Sequence, residues 1–132
     1  MYEKRIEIRW RDLDAFRHVN NAVYLTYLEE VRDEWLDAVL GRSGSVWDFI
    51  LARVAIDFRR ELRQEDDAVL VRLRLERVGT SSVRTREEIV KLDGTLAAEA
   101  EAVLVTRNVE EGSSRPLTEA EREAFERELD AD

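Results

Sequence analysis

Between Tyr24 and Val39 a single apolar stripe runs along the chain, and most of the remaining sequence alternates with period two. Tyr24, Leu28, Val31, Trp35 and Val39 recur at spacings of four, three, four and four. Glu29, Glu30, Asp33 and Asp37 fall on other faces. That spacing predicts an amphipathic α-helix of about 20 residues, roughly 30 Å long. Asn20 or Asn21 suits the N-cap, where a side-chain oxygen accepts from the first free N–H groups, and Gly41 suits the stop.

Strand patterns surround this helix. Ile6, Ile8 and Trp10 alternate with Glu7 and Arg9, which predicts a half-buried strand over 6–10. Tyr24, Tyr27, Trp35 and Trp10 are expected mostly in the core. Residues 46–60 read as one long strand, with Val54, Ile56 and Phe58 on one face. Val69, Val71, Leu73 and Leu75 give the cleanest alternation in the chain. Gly79–Thr80–Ser81 turns the chain into 83–92, and Asp93–Gly94 forms a hairpin turn into 97–105. Thr118 and Glu121 have capping-box spacing ahead of a short, charge-rich C-terminal helix. The order is β, long helix, four strands, with connections short enough for antiparallel neighbours. It predicts an α+β architecture of one antiparallel five-stranded sheet packed on one helix. Residues 1–132 read as one domain, with a core at about 5–106 and a loop and C-terminal helix over 107–132. Such a pair of layers leaves sheet edge and helix flank to cover, so a homo-oligomer is expected.

Composition narrows the function. A net charge of −9 argues against a nucleic-acid partner, since phosphate backbones are held by basic surface. The chain has no cysteine and one histidine, so disulfides and thiolate metal sites are excluded and an imidazole-built zinc site is disfavoured. No apolar run approaches the ~20 residues of a membrane span. Met1 leads straight into a charged strand-like segment, so a cytoplasmic location is expected. No metal and no cofactor are expected.

Chemistry-bearing side chains gather at one place. Asp12, Asp14, His18, Asn20 and Asn21 stand within ten residues, just ahead of the helix. Free N–H groups and the positive dipole end at a helix N-terminus favour developing negative charge, so this is raw material for acyl transfer. Each residue also has a plain structural use. Asp14 suits a turn or cap, Asp12 a loop brace, His18 a hydrogen-bonded structural imidazole, and the two asparagines capping.

These residues carry a resemblance. The pattern W-x-D-x-D-x-x-x-H-V-N-N-x-x-Y is met by Trp10, Asp12, Asp14, His18, Val19, Asn20, Asn21 and Tyr24. The following Y-x-x-Y-x-E-x-x-R-x-x-W-L is met by Tyr24, Tyr27, Glu29, Arg32, Trp35 and Leu36. In this the chain resembles acyl-CoA thioesterases of the hotdog fold, the 4-hydroxybenzoyl-CoA thioesterase-like group, from about Arg5 to Thr106. The likeness implies one long central helix wrapped by a curved antiparallel sheet. It also implies pairing into a homodimer or homotetramer with active sites at the subunit interface.

It further implies hydrolysis of an acyl-CoA thioester, coenzyme A being part of the substrate. Asp14 would be nucleophile or general base, and the backbone N–H near Asn21 would polarise the carbonyl, with His18 and Asn20 beside them. Arg17, Arg59, Arg60 and Arg63 are candidates for the coenzyme's phosphates, Ser81 and Ser82 for its pantetheine arm, and Tyr27 for the acyl pocket. Glu29 is a candidate contact to the loop or partner. Two features depart from the family pattern. Arg17 replaces a common glycine, and Glu61 and Glu65 stand where proline and glycine are frequent. An acyl-carrier-protein thioesterase is an alternative, although the related plant enzymes usually have asparagine where this chain has Phe16. A non-catalytic acyl-CoA-binding module is another.

Overall fold

The computed structural model describes residues 1–131; Asp132, the last residue of the expected domain, lies outside the described residues. In chain order the elements are β1 (Tyr2–Glu7), α1 (Asn21–Leu40), β2 (Phe49–Phe58), β3 (Ala68–Val78), β4 (Ser82–Lys91), β5 (Leu96–Thr106) and α2 (Glu119–Ala131). The five strands form one antiparallel sheet in the order β1-β3-β4-β5-β2. Register shifts between Leu51 and Arg53, Leu75 and Arg77, and Ile89 and Val90 mark bulges, which bend and twist a sheet.

One sheet face packs on α1. From the helix come Tyr24, Leu28, Val31, Trp35 and Leu36. From the strands come Val69, Val71, Leu73, Val83, Ile89, Ala98, Ala100 and Leu104, all buried. Phe125 of α2 closes the layer, with its ring centroid 6.0 Å from Trp35 and 5.7 Å from Phe49. The other sheet face is charged. Glu101 alone faces Arg53, Arg84 and Arg86 at 3.3–3.8 Å.

The expected helix limits hold. Asn20 caps α1, accepting from the Ala22 N–H at 2.9 Å, and Gly41 ends it at φ +52°. The capping box also forms. Glu121 N–H donates to Thr118 Oγ1 at 3.1 Å, and Thr118 N–H to Glu121 Oε1 at 2.8 Å.

Three local expectations are corrected. β1 spans Tyr2–Glu7 instead of 6–10, because Asp12 Oδ2 accepts the Arg9 N–H and folds Trp10–Asp12 into a 3-10 turn. Trp10 is therefore 82 % exposed and not in the core. The long strand starts at Phe49 and not at 46. Ser45 Oγ accepts from the Trp47 N–H and turns Val46–Asp48 into a single 3-10 turn. β2 is moreover an edge strand, so Val54 and Ile56 are only half-buried and Phe58 is exposed.

Candidate active site

The segment before α1 folds back on itself. Leu13 and Val19 bridge as antiparallel neighbours, and the Asp14 N–H donates to the His18 carbonyl at 2.9 Å. Within this loop the Arg17 N–H donates to the Asp14 carbonyl at 3.0 Å. Asp14 Oδ1 accepts from the Phe16 N–H at 2.9 Å. One carboxylate oxygen of Asp14 thus builds the turn, and Oδ2 has no hydrogen-bond partner among the described residues. Such a turn requires a left-handed residue, and Arg17 supplies it at φ +65°. For a residue with a Cβ that conformation costs about 1–2 kcal/mol, of which glycine's extra unfolded-state entropy cancels part. Arg17→Gly is therefore expected to stabilise the fold by about 0.5–1 kcal/mol. Urea unfolding of the two proteins measures it, and a destabilised variant would contradict it.

Behind the loop, Asp12 is a buried brace. Its Oδ2 accepts from the Tyr27 hydroxyl at 2.6 Å and from the Arg9 N–H at 2.9 Å. Its carbonyl takes the Asn20 N–H at 3.0 Å. Burial raises the Asp12 pKa, but the Tyr27 hydroxyl, the Arg9 amide and the Arg9 guanidinium outweigh it and hold the carboxyl below its ordinary value. Burial first, then the Asp12 hydrogen bond, pushes the Tyr27 hydroxyl well above its own.

Glu121 is likewise lowered. Burial opposes this, and the Arg115 guanidinium and the Thr118 amide overcome it. For both carboxyls the unfolded chain binds the proton more readily. Their stabilisation is therefore complete above the ordinary carboxylate range, at about pH 4, and fades as pH falls through the folded-state values. Thermal melts across acid pH are expected to show a shallower loss for Asp12→Asn than for the native chain. Equal slopes would remove Asp12 from the linkage.

At the start of α1 the donors can be counted. The Ala22 N–H goes to the Asn20 side chain and the Val23 N–H to the Asn20 carbonyl at 2.8 Å. The Asn21 N–H has no partner among the described residues. Asn21 is among the residues bordering a cavity of about 210 Å³, with His18, Val19, Tyr24, Phe58 and residues 59–61. The segment after β2 grips this corner. Leu62 O accepts from the Val19 N–H at 2.7 Å, and Arg60 O from the Tyr24 hydroxyl at 3.0 Å. The rings of Tyr24 and Phe58 meet edge to face at 5.1 Å. Asp14 and Arg17 line a different cavity of about 300 Å³, with Trp10, Arg11 and Leu13.

The sequence-predicted residues are thus only partly brought together within one chain. His18, Asn21, Arg59 and Arg60 share one cavity, and Asp14 and Arg17 the neighbouring one, while Asn20 caps the helix between. Arg59 pairs with Glu99 at 2.8 Å, Arg60 donates to the Arg59 carbonyl at 2.8 Å, and Arg63 pairs with Glu61. Tyr27 is 1 % exposed with its hydroxyl taken by Asp12. The exposed Glu29 borders a third cavity between β1 and α1. Ser81 and Ser82 form the β3–β4 turn, where their carbonyls accept from the N–H groups of Thr106 and Gly79. Sequence reasoning did not single out Glu61 as a site residue, yet its Oε2 lies 2.8 Å from His18 Nε2. The signal was an acidic residue at a position where proline is frequent.

Comparison with known proteins decides the family. Residues 8–125 match the sequence profile described as the Thioesterase-like superfamily. The chain belongs to that superfamily. A thioesterase from Thermus thermophilus, solved with coenzyme A and Zn, is 32 % identical with a TM-score of 0.86, covering 98 % of this chain and 94 % of that one. The long-chain acyl-CoA thioesterase FadM of Escherichia coli K12 is 27 % identical over 101 residues, 74 % of this chain and 76 % of that one.

A Staphylococcus aureus protein solved in complex with CoA has a TM-score of 0.87 at 14 % identity, over 98 % of this chain and 84 % of that one; it shows the fold alone. The hotdog thioesterase resemblance and its fold are therefore met. Among the described residues no cluster of three or more His, Cys, Asp or Glu side chains is arranged to hold a metal ion, and no helix is long and apolar enough to cross a membrane.

Proposed function

We propose that this thioesterase hydrolyses an acyl-CoA thioester to a free carboxylic acid and coenzyme A. Asp14 acts as general base, or as nucleophile, and the Asn21 N–H binds the carbonyl oxygen. In the base form, water attacks the thioester carbon while Asp14 takes its proton. The oxygen becomes an oxyanion, and the C–S bond then breaks as the proton passes to the departing sulfur. A thioester is reactive enough for one carboxylate and one fixed donor to suffice.

The carrying observation is the Asn21 N–H, left unpartnered at the opening of a 20-residue helix that directly follows the Asp14 loop. The bound ligand of the Thermus relative and the name of the E. coli one support coenzyme A as the thiol. Arg59 and Arg60 bring positive charge to that cavity in a chain of net charge −9, which supports their contact with the coenzyme's phosphates.

The edge strand β2 carries exposed Ile50, Leu51 and Phe58, and two such edges from two copies would cover one another. This supports a homodimer or homotetramer in which Asp14 and Asn21 are completed by the partner; its proposed place of work is the cytoplasm. A panel of acyl-CoA thioesters assayed with a thiol-trapping dye tests the reading. Thiol release from at least one member is expected, and tight binding of a thioester analogue without any release would replace the hydrolase by a binding module.

A further inference from the structure

We propose that the acyl group taken by this site carries a carboxylate of its own: the substrate is the mono-thioester of a short dicarboxylic acid, and Arg17, with Arg11, binds the free carboxylate. The inference rests on the thioesterase reading above and names its acyl group. It starts from the cavity of about 300 Å³ lined by Trp10, Arg11, Leu13, Asp14 and Arg17. Asp14 is the only acidic residue of that lining, so two guanidiniums outnumber one carboxylate there, in a chain of net charge −9. Other arginines of the chain are already paired: Arg59 with Glu99, Arg63 with Glu61 and Arg72 with Glu3. The side chains of Arg11 and Arg17 have no hydrogen-bond or ion-pair partner among the described residues, Asp14 included.

The position of these cations selects their ligand. A thioester carbon bears two chains, the thiol arm and the acyl group, which leave it in different directions. With the coenzyme on the side of Asn21, Arg59 and Arg60, the acyl group extends into the neighbouring cavity, past Asp14 and toward Arg17. Trp10, 82 % exposed, and Leu13 offer apolar surface to its stem, and the small volume suits a short chain. A plain alkyl chain would take water from two guanidiniums and give them no acceptor, whereas a terminal carboxylate accepts from their N–H forks. Arg17 also stands at φ +65°, where glycine would fit without strain, and strained residues persist where their side chains serve a ligand.

Arg17→Gly is the informative variant, because it is expected to stabilise the fold, so a loss cannot come from unfolding. The thiol-release assay compares glutaryl-CoA with pentanoyl-CoA and adipoyl-CoA with hexanoyl-CoA, pairs matched in chain length. The native chain is expected to favour the diacid of each pair by about tenfold in kcat/KM, chiefly through KM, and Arg17→Gly to lose most of that preference. Arg17→Lys keeps a charge without the planar fork and is expected to retain part of it, and Arg11→Gln to weaken it.

Equal kcat/KM for the two members of each pair in the native chain overturns the proposal, and so does a diacid preference that survives in Arg17→Gly. A variant slowed alike on both members also overturns it, making Arg17 a contact to the coenzyme. If the native chain releases no thiol from any thioester, the hydrolase reading fails. Calorimetry of the 5-carboxypentyl and hexyl thioethers of coenzyme A with native and Arg17→Gly protein then still decides whether Arg17 binds a carboxylate.

Discussion

Asp14→Asn is expected to lower kcat for thioester hydrolysis by about 10²–10⁴-fold while leaving the unfolding midpoint where it was. The structure separates the two roles this side chain has. As a turn former, Asp14 needs only one oxygen, which accepts the Phe16 N–H at 2.9 Å, and asparagine keeps that oxygen. As a base or nucleophile it needs a negative charge, and asparagine has none. Asp14→Ala removes both, so it is expected to lose the activity and also about 1 kcal/mol of loop stability. Measuring turnover together with thermal unfolding for both variants resolves the roles. Near-normal turnover by the asparagine variant would take Asp14 out of the chemistry and leave it a turn residue. A large loss in both turnover and stability for that variant would mean the loop itself had collapsed.

What the sequence could show depended on how local the cause was. The stripe from Tyr24 to Trp35 was legible because a helix buries one face at a fixed period, and the cap residues at Asn20, Gly41 and Thr118 act within a few positions of themselves. Trp10 was misread because its alternation with Ile6 and Ile8 ends at a turn made by Asp12, two residues further on. The exposure of β2 has a longer-range cause. Its apolar residues do alternate, but its place at the sheet edge follows from the pairing order of all five strands, which no single segment encodes.

The site divides in the same way. Asp14, His18, Asn20 and Asn21 were found because chemistry and helix start coincide in one stretch. The grip of Arg60, Glu61 and Leu62 on that stretch was not, since it joins positions about 40 residues apart. One buried feature could have been deduced. Val83, Thr85, Glu87 and Ile89 share a strand face, so an inward Val83 and Ile89 force Glu87 inward too, where a carboxylate needs a cationic partner.

That partner is Arg32, and breaking the pair is expected to cost more stability than any of the other substitutions proposed above. Arg32 Nε and Nη2 donate to the two Glu87 oxygens at 2.9 and 2.6 Å, and the Thr85 hydroxyl adds a third bond at 2.7 Å. Arg32 is 3 % exposed and Glu87 1 %, so neither charge has water to fall back on. Glu87→Gln leaves a buried guanidinium without a counter-charge, at an expected cost of about 3–5 kcal/mol. In a chain of this length that corresponds to a fall of roughly 10–20 °C in Tm.

The pair as a whole is a different matter, because desolvating two charges consumes most of what their attraction returns. Replacing both by apolar residues, as Arg32→Met with Glu87→Leu, is therefore expected to recover most of the loss. The remainder should reside in the orphaned Thr85 hydroxyl, and adding Thr85→Val should remove it. Denaturant midpoints of the single, double and triple variants test this order. A single variant costing under about 1 kcal/mol would mean that water reaches the pair. A double variant no better than the single would mean that the pair's geometry, and not its charge balance, holds α1 against β4.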